Sequence, residues 1–143
     1  MADPKAENAL REALSTIEDL ESRWSAARDY LKIDDRRARH AVLSDLAADP
    51  NLWDDQENAR EVTTELGRLT NDLESFDALR SSLDDASVLA EFARESLSAG
   101  EADWSLFDEL ATSVEALGHD IGALETQSLF SGPYDEKDRK SVV

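Results

Sequence analysis

From Leu10 onward the small and apolar side chains fall at Leu10, Ala13, Ile17, Leu20, Trp24, Ala27 and Leu31. The steps alternate three and four residues, which places all seven on one stripe of an α-helix. Pro4 suits a helix's first turn, so the pattern predicts one helix over about 4–31, roughly 40 Å long. A shorter helix is predicted from Asp34 to Ala48, with Asp34 as N-cap and Ala38, Val42, Leu43 and Leu46 as its apolar face. Asp49-Pro50 ends it, because proline disfavours helix in the residue before it. Asp54 then reads as a cap, with Glu57 three residues on as its capping-box partner.

A second long stripe runs Ala59, Val62, Leu66, Leu69, Leu73, Phe76 and Leu83, with Arg80 on the same step and Leu79 widening the face. It predicts a helix over about 55–83. A shorter helix over about 85–99 carries Val88, Leu89, Phe92 and Leu97. Gly100 stands where a helix end favours a left-handed residue. The last stripe is Phe107, Leu110, Val114, Leu117, Ile121 and Leu124, in a helix that begins near Asp103 and stops by Ser131-Gly132-Pro133. No segment alternates with period two, and no repeat of 20–50 residues is present.

The fold class expected is therefore all-α: an antiparallel helical bundle of three long and two shorter helices over residues 1–131. Residues 132–143 form a tail or the truncated start of a following domain. Such helices are marginal alone in water, so their stripes must bury one another or a partner chain. Short connections favour burial within the one chain, and hence a monomer. Five glycines and three prolines in 143 residues agree with long uninterrupted elements.

Charge narrows the function. Asp and Glu total 33 against 15 Lys and Arg, a net charge of −18. A chain that grips phosphates neutralises them with Lys and Arg, so this balance argues against extensive nucleic-acid contact. It suits either solubility or a basic protein partner. Lys32, Arg36, Arg37 and Arg39 form the densest basic cluster, whereas residues 101–131 hold seven acids and no Lys or Arg. Without cysteine there is no disulfide, thiolate nucleophile or thiolate metal site. No apolar run approaches a membrane span, and the N-terminus lacks a signal peptide's basic start. The chain reads as soluble and intracellular.

Candidate chemistry is sparse. Asp34-Asp35, Asp54-Asp55 and Asp84-Asp85 resemble acid/base pairs or metal ligands, but each sits at a predicted helix start. Capping of free amides at the positive end of the helix dipole accounts for all three. His40 and His119 have no second His or Cys at ligand spacing and read as solvated surface histidines. No Gly-x-Ser-x-Gly elbow, calcium loop or glycine-rich phosphate loop occurs. Gly118-x-x-x-Gly122 reads as a local packing need. Trp24 belongs to a core stripe, and Trp53 reads as the apolar residue stapling a helix entry to the bundle. Trp104 is either a bundle-end packing residue or a partner contact. No catalytic, cofactor-binding or metal-binding residue is expected, and no cofactor.

Three stretches carry a resemblance. Asp49-Pro50-Asn51-Leu52-Trp53-Asp54-Asp55-Gln56-Glu57-Asn58-Ala59 resembles the helix-entry motif of bacterial peptide chain release factor 2. Leu129-Phe130-Ser131-Gly132-Pro133-Tyr134-Asp135 resembles the exit of that family from its first helical domain. Tyr30-Leu31-Lys32-Ile33-Asp34 is similar to its tract between the first two helices. Their order and spacing agree with the family over about residues 8–138. The resemblance implies the N-terminal helical domain of a cytoplasmic translation-termination factor directed to UGA and UAA. It implies docking on the ribosome near the stalk base, in the region of ribosomal protein L11.

Full-length members use a Ser-Pro-Phe tripeptide to read codons and a Gly-Gly-Gln tripeptide for peptidyl-tRNA hydrolysis. Residues 1–143 contain neither, so no enzymatic activity is expected of this chain. The ending departs from the family's pattern: Arg139-Lys140-Ser141 is followed by Val142-Val143, the start of a strand or a tail of other origin. Lacking partners, residues 132–143 are expected to be poorly ordered. The alternative is a freestanding acidic helical adaptor whose stripes pair with another chain as a coiled coil.

Overall fold

The computed structural model describes residues 3–130, which form four α-helices and one 3₁₀ turn. Helix α1 spans Pro4–Tyr30 and α2 spans Ile33–Ala47; the 3₁₀ turn is Leu52–Asp54; α3 spans Gln56–Ser98 and α4 spans Trp104–Glu125. The all-α expectation holds, and no strand occurs among the described residues. The expectation for residues 132–143 lies outside them.

Helix α3 is the spine. Its 43 residues replace the two helices predicted over 55–83 and 85–99. Asp84-Asp85 does not start a helix; it lies exposed in mid-helix, where Arg80 donates to Asp84 one turn away at 2.7 Å. Aspartate is only mildly unfavourable inside a helix, and no glycine or proline stands nearby to break it. The merger also shifts the buried face. Continued by threes and fours from Phe76, Leu79 and Leu83, the stripe reaches Ala86, Ala90 and Ala93, each at most 1% exposed. Val88 and Phe92 are left half exposed, while Leu89 and Leu97 pack partly against the core.

The C-terminal half of α3 packs with α1 and α4 in a three-helix bundle. Trp24 of α1 stacks on Phe76 with ring centroids 4.3 Å apart, and its indole N–H donates to the Phe76 carbonyl at 3.0 Å. Arg23 clamps Glu125 at 2.6 and 2.8 Å, which sets the end of α4 level with that stack. Thus α1 and α4 run parallel, and α3 is antiparallel to both. The stripes of α1, α3 and α4 bury one another within the chain, as expected, with Ala13, Trp24, Leu66 and Val114 only partly covered.

The N-terminal half of α3 carries only α2 and the 3₁₀ turn beside it, over a small separate core of Leu43, Leu52, Ala59, Val62 and Leu69. Two expectations fail here. Ala38 is exposed, and Val42 and Leu46 are 50% and 41% exposed, because the side chains that α2 buries are Ile33 and Leu43. Trp53 is exposed, and its neighbour Leu52 is the side chain that closes this core.

The caps explain the boundaries. Asp3 Oδ1 accepts from the amides of Lys5 and Ala6, and Asp103 Oδ1 from those of Ser105 and Leu106. Asp55, not Asp54, caps α3 by accepting from the Asn58 amide, so Glu57 is a first-turn acid rather than a capping-box partner. Gly100, at φ +86°, ends α3 through two bonds: its N–H donates to the Leu97 carbonyl and Glu101 N–H to that of Ser96.

Asp34 is not the cap of α2. Lys32 occupies that place in a left-handed conformation, φ 57° and ψ 47°, as a one-residue joint: its N–H closes α1 on Asp29 and its carbonyl opens α2 by accepting from Arg36. A side chain in that conformation costs about 1 kcal/mol relative to glycine. Lys32→Gly is therefore expected to raise stability by about 0.5–1 kcal/mol, seen as a higher urea midpoint at unchanged slope.

Candidate functional site

Among its basic residues the sequence singled out the cluster on α2. Each arginine there meets an acid. Arg37 forks onto Asp77 at 2.6 and 3.1 Å, and Arg39 onto Glu65 at 2.9 and 3.0 Å. Hydrogen bonding from Arg39 holds the Glu65 carboxyl below its ordinary range. Arg36 is half-buried and makes three contacts at once. Its Nε–H donates to the Leu31 carbonyl at 2.9 Å, an Nη lies 3.5 Å from buried Asp72, and its plane covers the Phe130 ring at 5.0 Å.

A shallow groove beside this cluster is lined by Tyr30, Lys32, Asp35, Arg36, Arg39 and Gln127. Its arginines already answer Asp72 and Glu65, and Lys32 is matched in number by Asp35 of the same lining, so the groove has no surplus of positive charge with which to hold an anion. The cluster fastens α2 to α3 and to the end of α4. The sequence does not single out Asp72, and it offers Phe130 only as part of the Leu129–Asp135 motif. The available signal was an aspartate at position 72, between Leu69 and Phe76 on an otherwise apolar stripe.

The other candidates do not converge. The aspartate pairs at 34–35, 54–55 and 84–85 lie on separate elements. Asp34 accepts from Arg28, Asp55 caps α3 and Asp84 answers Arg80. No group of three His, Asp or Glu poised for a metal occurs among the described residues. His40 is partly buried, not solvated, with a ring nitrogen 2.8 Å from the Thr70 hydroxyl. His119 is exposed, as expected. A Cβ built on Gly118 or Gly122 meets nothing within 4 Å, so neither glycine answers a packing need. Trp104 is 44% exposed and leans on Phe107.

What the molecule presents is a polarised surface. Residues 81–125 hold eleven acids and only Arg94, while residues 28–39 hold Arg28, Lys32, Arg36, Arg37 and Arg39 against three acids. Charge of this kind attracts cationic surfaces and repels phosphates. No helix among the described residues is long and apolar enough to cross a membrane.

The family model of the PCRF domain matches residues 36–143. Peptide chain release factor 2 of Mycobacteroides abscessus is 41% identical over 127 residues, covering 89% of this chain and 33% of that protein. Its counterpart in Mycolicibacterium smegmatis is 40% identical over 124 residues, 87% of this chain and 32% of the relative. That of Salinispora arenicola is 33% identical over 138 residues, 96% and 34%. The chain spans about a third of the length of these curated relatives. By the match over residues 36–143, the chain belongs to the PCRF-domain family, and it is similar along most of its length to peptide chain release factor 2.

Proposed function

We propose that this chain serves translation termination as a ribosome-docking helical domain, acting in the cytoplasm as a monomer without hydrolase activity of its own. The observation that carries the reading is the PCRF match over residues 36–143, with release factor 2 relatives aligned along the same stretch. The charge supports it: a domain with net charge −18 working amid ribosomal RNA gains by meeting basic protein rather than phosphate. The site proposed by the resemblance is the stalk base, in the region of ribosomal protein L11. In this reading residues 1–131 supply the docking domain. Codon reading and peptidyl-tRNA hydrolysis belong to tripeptides that residues 1–143 do not contain.

Two measurements test this together. The chain is expected to co-sediment with 70S ribosomes and to compete there with a full-length release factor 2. It is expected to release no peptide from ribosomes stalled at UGA. Failure to sediment removes the docking role, and peptide release by this chain alone removes the non-enzymatic one. The alternative of a coiled-coil adaptor has less support, because the stripes it would offer to another chain are buried within this one.

A further inference from the structure

Val88 and Phe92 stand one turn apart on α3, 51% and 50% exposed. Asp84, Asp85, Glu91 and Glu95 flank them, and at 100° per residue all six fall within an arc of about 120°. All six are solvent-exposed, so no other part of the described fold covers this arc. Two of the acids answer arginines on the same helix, Asp84 to Arg80 and Glu91 to Arg94. Asp85 and Glu95 make no ion pair among the described residues. The arc lies within the 45-residue stretch that holds eleven acids and one arginine.

We infer that this face of α3 docks a cationic protein surface, one that sets Lys or Arg side chains around a small apolar contact. An apolar pair ringed by acid excludes water at its centre and selects positive charge at its rim. The same ring disfavours the other occupants. Nucleic-acid phosphates and anionic lipid headgroups are repelled, and a second copy would set two acidic faces against each other. The inference rests on the ribosome-docking reading and assigns that reading a surface.

The test is co-sedimentation of the chain with 70S ribosomes at several salt concentrations. The variants are V88S/F92S and, as a control of similar kind elsewhere, V42S/L46S on exposed α2 positions. Val88→Lys adds a helix-favouring cation to the same face and serves if the double variant folds poorly; circular dichroism shows which variants fold. V88S/F92S and Val88→Lys are expected to weaken binding by about tenfold or more, and V42S/L46S by less than about twofold. Rising salt is expected to weaken the wild type steadily.

Wild-type binding by V88S/F92S and Val88→Lys overturns the surface and leaves the docking reading intact. Equal losses in both double variants mean general stickiness and also overturn it. Equal binding to ribosomal RNA freed of protein overturns it in favour of RNA. So does a dimer at sedimentation equilibrium that V88S/F92S abolishes, in favour of self-association. If the wild-type chain does not sediment with ribosomes, both the surface and the docking reading fall.

Discussion

Phe76→Ala is expected to remove about 3–5 kcal/mol of unfolding free energy. The ring is fully buried where α1 and α3 meet, stacked on Trp24 within 17° of parallel. Its loss removes apolar burial, empties a ring-sized volume and deletes an aromatic pair. Total stabilities of domains lie near 5–15 kcal/mol, so the variant sits close to the unfolding threshold. At roughly 3 °C per kcal/mol for this chain length, the midpoint of thermal unfolding falls by about 10–15 °C. Near-ultraviolet circular dichroism provides a local check. Trp53 is 58% exposed and Trp104 leans on Phe107, so the tryptophan signal that fades with Phe76 removed is that of Trp24, while that of Trp104 stays. A loss below about 1 kcal/mol would mean that this stack does not anchor the bundle.

Arg36→Ala is expected to cost about 2–4 kcal/mol. One guanidinium serves the Leu31 carbonyl, the carboxylate of Asp72 and the face of Phe130. Asp72 is 2% exposed, so a charge-assisted partner there matters far more than in the exposed pairs of Arg37 and Arg39. Lysine lacks the planar fork and cannot meet three differently placed groups. Arg36→Lys is therefore expected to recover less than half of the loss. Denaturant unfolding gives the total. Hydrogen exchange at α2 amides locates it, with faster exchange in α2 than in the bundle half of α3. Full rescue by lysine would show that charge alone is at work.

The helices of the three-helix bundle were legible because each carries a sustained stripe with caps at its ends: Leu10 to Leu31, Phe107 to Leu124, and Asp103 and Gly100 at their turns. The error on α3 came from treating a carboxylate pair as punctuation. Asp84-Asp85 restarted the helical phase, and the new phase favoured Val88 and Phe92 over Ala86, Ala90 and Ala93. Alanine is a weak hydropathy signal, yet at a close helix crossing it is the residue that fits. Helix α2 misled for a different reason. Its apolar residues are spread around it, and only Ile33 and Leu43 are buried, so the pattern does not choose the face. The node at Arg36 is hidden because it joins segments distant in sequence; the joint at Lys32 is local, but a lysine carries no signal for a left-handed conformation. The acidic surface was visible in composition, but its place along the Val88–Phe92 arc required the true phase of α3.

The unequal support of α3 gives it the mechanics of a lever. From Phe76 to Ser98 two helices hold it; from Gln56 to Ser75 it is accompanied by α2 and the 3₁₀ turn, over roughly 30 Å. A tilt of about 10° at Phe76, within the range of ordinary helix bending, swings the tip bearing Leu52 and Trp53 by about 5 Å. The far end thus rests on the smaller core, and the aromatic stack, in the larger one, is where such a lever would have its fulcrum.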